Sequence, residues 1–242
     1  GLNGQLTWRA ALAGKDNRFV VGAGWDASKV HYSQSTQLGY LNADRSITGV
    51  NAYADGVTGG NVDGVPYDNR VDLLSRSHTA SLYATDTLSI TPTLHLTLSG
   101  RYNRTEVVNR DQINPGGGTA SLDGDHRFSR FNPAIGLSWA ASPALGAYAG
   151  YSEGSRTPTA IELGCANPDR PCKLPNAMAG DPPLNQVVTR TTELGLRGRI
   201  DPKTEWNLGL FRADNRDDIL FVADDQAGYG YFKNFGQTRR QG

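Results

Sequence analysis

The chain of 242 residues has no excess of either charge, with 24 Lys and Arg against 24 Asp and Glu. Nucleic-acid binders usually carry a clear basic excess, so the composition gives no support for a nucleic-acid partner. Hydrophobic residues make up only 38%, which is low for a compact soluble domain. The sequence also lacks an apolar run of about eighteen residues, which excludes a transmembrane helix. It leaves open a β-barrel, whose strands alternate lipid-facing and polar residues.

Strict alternation of apolar and polar residues is the strongest signal that the sequence does contain. From Leu94 to Asn103, apolar residues or glycine occupy every second position, and polar or charged residues lie between them. Similar alternation occurs at 6–12, 19–25, 135–139 and 206–210. A period of two is typical of β-strands with one apolar face. With 29 Gly and 12 Pro to form turns, the pattern predicts an all-β, antiparallel fold.

A soluble β-sandwich would alternate in the same way, so the lengths of the connections decide between the two folds. Tight turns are predicted at 14–17, 90–93, 141–144 and 200–203, and long polar connections at 42–77, 105–127, 152–187 and 214–229. Short and long connections therefore alternate along the chain, as they do in outer-membrane barrels. Trp and Tyr near the strand ends are typical of the interfacial aromatic girdle. We predict a transmembrane β-barrel segment of about nine or ten strands.

Four sequence segments resemble motifs of the TonB-dependent outer-membrane receptors. The segment 148–158, YAGYSEGSRTP, is similar to the family's "YSEGFRxP" run, with Ser155 where an aromatic residue is common. The stretch 98–102 resembles "LGxRY", and 192–198 resembles "ExGxKG/RG". Residues 215–220, followed by 234–242, resemble the family's "NxGxxRxxG" approach to the last strands. The resemblance covers most of residues 78 to 242.

The resemblance implies a transport receptor, not an enzyme. Family members enclose an N-terminal plug in a 22-stranded barrel. Neither the plug nor the energy-coupling box is recognised here, so we expect residues 1–242 to form a partial barrel domain, without plug and final strands. The implied partners are TonB, acting through the plug, a ferric siderophore or similar nutrient, and outer-membrane lipid and lipopolysaccharide. The alternatives are a passive porin-like or adhesion barrel and a soluble extracellular carbohydrate-binding β-domain.

Two cysteines, Cys165 and Cys172, lie close together in one predicted extracellular loop. An even pair outside the cytosol predicts a local disulfide; free thiols or a metal site are the alternatives. No catalytic residue, metal site or cofactor is predicted, because the four histidines are scattered. An Asp/His protease arrangement near His126 is an alternative. The aspartates between 214 and 225 either hydrate a loop or bind calcium.

Charged residues in the loops and the wall are the candidates for ligand binding. They are Arg101 in the wall and Arg156, Glu162, Arg170 and Lys173 around the predicted disulfide loop. Cationic groups at these positions could pair with an anionic ferric chelate through charge-assisted hydrogen bonds. Contact with lipopolysaccharide or with the plug is the alternative interpretation.

Overall fold

The computed structural model describes residues 1–53, 59–116, 121–164, 166, 172–173, 184–223, 225 and 229–242. The strands are β1 (Leu2–Leu12), β2 (Lys15–Thr36), β3 (Gly39–Leu41), β4 (Ile47–Gly49), β5 (Gly60–Val62), β6 (Val65–Thr91), β7 (Leu94–Asp111), β8 (Gly124–Ser142), β9 (Leu145–Arg156), β10 (Cys172–Lys173), β11 (Val187–Asp201), β12 (Thr204–Ala223) and β13 (Tyr229–Gln241). One short helix, α1 (Ala160–Gly164), is found in the described part of the chain.

The long strands form a single antiparallel sheet that follows the chain order. Ten strands lie in the order β1-β2-β6-β7-β8-β9-β11-β12-β13-β10, β5 pairs with β6 beside this path, and β3 and β4 form a separate hairpin. The predicted all-β antiparallel architecture is therefore confirmed. No helix in the ranges that the structure describes is long and apolar enough to cross a membrane.

One face of this sheet is apolar and exposed. On β8, Ile135, Leu137 and Trp139 are 47%, 41% and 51% exposed. The pairing of the strands extends this surface, since Leu137 lies opposite Leu96 on one side and Ala149 on the other. The same face carries large apolar residues on the outer strands: Leu6, Trp8, Phe19, Leu82, Leu194, Leu196, Leu208 and Leu210. This apolar face is the surface that the alternation predicted, and a β-barrel turns such a face toward lipid.

Four tight turns lie at one end of the sheet. They fall at 13–14, 92–93, 143–144 and 202–203. The last three lie within the predicted segments, whereas the first was predicted at 14–17 and ends at Gly14, because β2 already begins at Lys15. At the first, Ala13 and Gly14 have φ of 52° and 74°, a left-handed conformation that suits glycine. The opposite end, where the long connections lie, is called here the long-loop end.

The strands run further toward the long-loop end than the sequence indicated. The predicted connection 105–127 is shorter, because β7 continues to Asp111 and β8 begins at Gly124. In the same way β6 begins at Val65, and β12 continues to Ala223. The prediction of these boundaries was wrong because the apolar–polar alternation ends at the top of the apolar face, whereas backbone pairing continues above it.

On the polar face, a tyrosine lies over glycine on the next strand. A Cβ at Gly195 would overlap the ring of Tyr148, and a Cβ at Gly209 would lie 3.4 Å from the Tyr148 hydroxyl. Because Gly195 on β11 and Gly209 on β12 have no side chains, the Tyr148 ring can lie against the backbone of both strands. Gly22 and Tyr83 form a second pair of the same kind. These pairs fill the polar face where glycine would leave backbone uncovered.

Candidate ligand-recognition site at the long-loop end

The polar face is covered at its long-loop end. On β7, Arg101 is exposed, but Thr105, Val107, Asn109 and Asp111, which lie on the same face, are all buried. Two clusters of apolar side chains lie on this part of the polar face. The first contains Val107, Leu163, Ala166, Leu184, Val187 and Ile219, and the second contains Val71, Leu73 and Leu122. The segment around α1 therefore folds back over the polar face.

Helix α1 begins with a reciprocal capping interaction. The Glu162 N–H donates to Thr159 Oγ1 at 3.2 Å, and the Thr159 N–H donates to Glu162 Oε2 at 2.7 Å. This is the Thr-x-x-Glu capping box, which satisfies two backbone donors at the start of a helix. The spacing of Thr159 and Glu162 is visible in the sequence and is the signal that could have identified this helix start. The capping box fixes Glu162 at the base of the loop.

Glu162 also holds Arg156, so two of the predicted ligand residues come together as a pair. The Arg156 guanidinium donates from Nη1 and Nη2 to the two carboxylate oxygens at 2.7 and 3.0 Å. Burial alone would raise the pKa of the Glu162 carboxyl. The hydrogen bonds from Arg156 and the Thr159 N–H outweigh burial, and the pKa lies below its ordinary value. The pair is ionised at neutral pH and ties the end of β9 to α1.

Arg101 lies apart from this pair in the wall. Its guanidinium donates to Asn103 Oδ1 at 2.9 Å and to Ser81 Oγ at 3.0 Å, and lies 5.7 Å from the centre of the Tyr83 ring. Among the described residues it makes no contact with Arg156 or Glu162. The structure therefore places Arg101 on the polar face of the sheet and does not join it to the loop residues.

The predicted disulfide loop is described only in part. Cys165 and Arg170 lie outside the described residues, as do the side chains of Cys172 and Lys173. The backbone of the last two residues forms β10, which pairs with β13 at 229–230. Residues 172–173 therefore pair with a strand that comes more than fifty residues later in the chain, a contact for which the sequence gave no signal.

A gap between β8 and β9 opens at the same end. The two strands pair from Ser142 and Leu145 up to Ala134 and Ser152, although both continue beyond that point. Pro133 lies directly beyond the last pair, and a proline cannot donate a ladder hydrogen bond. Above it lies a groove of about 780 Å³, within the range of small-molecule sites. Its lining is Asp125, His126, Arg127, Phe128, Ser129, Arg130, Leu184, Asn185, Gln186, Val188 and Asp217.

The groove and the gap are lined with charged and polar groups. Arg127 Nε contacts Glu106 at 2.9 Å, and Arg130 Nη2 contacts Glu153 at 2.8 Å. The buried side-chain atoms that make no hydrogen bond in the described part of the chain include Arg130 Nε and, in the gap below the groove, Asn132 Oδ1. A buried polar atom without a partner destabilises the fold by about 1–3 kcal/mol, so such atoms favour a polar ligand or water. Within the same residues no group of His, Cys, Asp and Glu is arranged to hold a metal ion.

Known structures of the same architecture are larger than this chain. The siderophore receptor PirA from Pseudomonas aeruginosa is 14% identical with a TM-score of 0.60, over 99% of this chain and 37% of that one. The hemophore receptor HasR from Serratia marcescens is 16% identical with a TM-score of 0.65, over 99% and 38%. The copper transporter OprC is 16% identical with a TM-score of 0.62, over 99% and 34%. At these identities the likeness shows the fold, and the chain spans about a third of each structure.

A family model matches the sequence itself. The model of the TonB dependent receptor-like β-barrel matches residues 1–242, which is the whole chain. The order of the strands, the exposed apolar face and the tight turns at one end agree with that match. The chain therefore belongs to the TonB-dependent receptor family, as part of its β-barrel.

Proposed function

We propose that this chain forms part of the barrel of an outer-membrane receptor that imports a scarce nutrient, and that this nutrient is a ferric siderophore. The family is one of outer-membrane transport receptors of Gram-negative bacteria. The solved structures named above include a siderophore receptor, a hemophore receptor and a copper transporter. Their variety supports metal-related cargo as a class, and the anionic ferric chelate is the member of that class that suits arginine-lined sites.

The observation that carries this proposal is the groove above the gap between β8 and β9. It lies at the long-loop end, which faces the outside in outer-membrane barrels. Arg127 and Arg130 line it, and their guanidinium groups can pair with an anionic oxygen of a chelate. The Arg156–Glu162 pair fixes α1 to the end of β9, so this part of the long-loop end is ordered before a ligand binds, which reduces the entropy lost on binding.

The full-length receptor is proposed to contain a plug that closes the lumen and contacts TonB, while residues 1–242 supply the C-terminal part of the barrel. Outer-membrane lipid and lipopolysaccharide are then the neighbours of the apolar face. Arg101, on the polar face, is suited to contact either the plug or the passing ligand. Arg170 and Lys173 are proposed to reach the ligand from the loop that contains Cys165 and Cys172, closed by a disulfide.

Uptake of a radioactive ferric siderophore tests the proposal in cells that express the full-length receptor. We expect accumulation that depends on TonB and falls when Arg130 is replaced, since Arg130→Gln removes one charge-assisted contact. The expected loss is about three- to tenfold in affinity. The matched control is Lys203→Gln, which removes a charge at a tight turn on the opposite end and leaves uptake unchanged. Accumulation that is equal with and without TonB would instead identify a passive porin.

A further inference from the structure

Small side chains on β9 leave a groove in the apolar face, called here the β9 groove. Ala147 and Ala149 form its floor, between the larger residues of β8 and β11. Its walls are Leu137, Trp139, Leu194, Leu196, Leu208 and Leu210, and its volume is about 370 Å³. The lining is almost wholly apolar, and the groove runs along the strand. Such a shape and surface fit an acyl chain laid parallel to β9.

A second hollow, of about 600 Å³, continues the β9 groove toward the long-loop end. The two share Leu194 and Leu210, so the surface passes directly from apolar to charged residues. In this second hollow Tyr151 lies opposite Thr192, and Thr192 lies opposite Arg212. A tyrosine at this level is typical of the boundary between lipid tails and headgroups.

Arginines dominate this boundary. Arg190, Arg212 and Arg239 lie on three neighbouring strands and form what is called here the arginine row. Two carboxylates hold them: Glu153 contacts Arg190 at 3.0 Å, while Asp214 contacts Arg212 at 2.8 Å and Arg239 at 2.6 Å. The carboxylates are only 12% and 20% exposed, and the arginines are 36%, 54% and 49% exposed. The row therefore presents positive charge outward.

The row carries more arginines than its carboxylates balance. Arg190 Nε is buried and lies 3.0 Å from Glu153, so the exposed part of this side chain is what remains for an outside partner. Arg216 lies on the same face, two residues beyond Asp214 on β12, and makes no ion pair with any described residue. Positive charge thus exceeds negative charge along the row, and guanidinium groups bind phosphate by paired hydrogen bonds.

We propose that the β9 groove and the arginine row together bind a phosphorylated, multiply acylated glycolipid of the outer leaflet, the chemistry of lipopolysaccharide. One acyl chain would lie in the groove, with phosphate on the arginines. Three strands at a spacing of about 4.8 Å spread the row over roughly 10 Å, which favours a headgroup with more than one phosphate. The inference rests on the proposed outer-membrane location and gives the lipid contact a defined site.

Native mass spectrometry of the full-length receptor in detergent tests the proposal with defined lipids. The probes are bisphosphorylated lipid A, its monophosphorylated form and phosphatidylethanolamine. We expect the wild type to retain bisphosphorylated lipid A most strongly. The double variant Arg190→Gln with Arg212→Gln should bind it about tenfold more weakly, and Ala149→Phe, which fills the groove, should weaken all three lipids. Arg199→Gln removes an arginine beside the 202–203 turn, away from the row, and should bind like the wild type.

Several results would overturn the site. One is that the double variant binds bisphosphorylated lipid A as strongly as the wild type does. Another is that the wild type retains phosphatidylethanolamine as strongly as bisphosphorylated lipid A. If the double variant fails to assemble, the single variant Arg239→Gln replaces it, since that side chain is exposed at the edge of the row. Siderophore uptake is measured on the same variants. Uptake without lipid selectivity would refute this inference alone, and lipid selectivity without uptake would refute the proposed nutrient alone.

Discussion

Ile135 offers the most direct test of how the sheet faces its surroundings. It lies midway along β8 between Phe131 and Trp139, the two aromatic residues expected at the borders of the apolar band, and it is 47% exposed. Those borders are about 26 Å apart along the strand, at 3.3 Å per residue. A strand tilted by about 40° therefore spans about 20 Å of membrane thickness between them. Ile135 is thus near the membrane midplane.

The expected cost of Ile135→Arg follows from this depth. Arginine on the lipid face of a transmembrane barrel destabilises it by about 2–4 kcal/mol at the midplane and by about 0–1 near the interface. The substitution should therefore lower the equilibrium constant for folding by about 30- to 900-fold. Leu145→Arg, on the same face beside the 143–144 turn, should cost no more than about 1 kcal/mol. Thr97→Arg, on the polar face opposite Gly136, should cost similarly little.

Equilibrium unfolding of the full-length receptor in phospholipid vesicles by urea measures all three variants. The reasoning requires a large loss at Ile135 and small losses at Leu145 and Thr97. Equal losses at Ile135 and Leu145 would mean that depth has no influence, and a lipid environment would then be wrong. A loss at Thr97 as large as that at Ile135 would mean that the assignment of faces is wrong.

Three further predictions concern the wall and the loop. Gly195→Val should destabilise the barrel by about 1–3 kcal/mol by displacing the Tyr148 ring, and adding Tyr148→Ala should recover part of the loss in the same urea titration. Because the pKa of Glu162 is lowered in the folded state, the ionised carboxylate stabilises the fold fully above the ordinary carboxyl pKa, and this stabilisation is lost as the pH falls through the folded pKa. Glu162→Gln removes the same charge at pH 7. Its loop should therefore be as sensitive to protease at pH 7 as the wild-type loop is in strong acid. Replacing Cys165 and Cys172 by serine should leave assembly intact and weaken siderophore binding by up to about tenfold, measured by titration, whereas failed assembly would show a bridge required for folding.

The sequence predicted the architecture because the side chains of a membrane strand alternate between an apolar face toward lipid and a polar face on the other side. Alternation at 94–103 and 135–139 identified the apolar face, and proline and glycine identified the tight turns. These signals are local, since each depends on neighbours one or two residues away. For that reason the fold class and the faces were predicted correctly although no strand partner was known.

The long-loop end was predicted less well because its structure depends on distant contacts. Every second residue of β7 from Thr105 to Asp111 is buried on the polar face, so the composition of this segment does not follow the alternation of the membrane segment. The gap beside Pro133 and the pairing of β10 with β13 are products of chain packing. Of the predicted site residues, the pairing of Arg156 with Glu162 could have been anticipated from the capping box, which fixes Glu162 three residues after Thr159.

The apolar face also has a consequence for how such a protein reaches its destination. Because Leu137 and Trp139 are separated by Ser138, and the same spacing recurs on each strand, no segment presents a continuous apolar stretch while the chain is unfolded. Machinery that inserts helices into the inner membrane responds to continuous apolar stretches. A chain of this design can therefore pass through that membrane as a translocating polypeptide. Its affinity for lipid arises only when backbone pairing brings side chains from many strands onto one side.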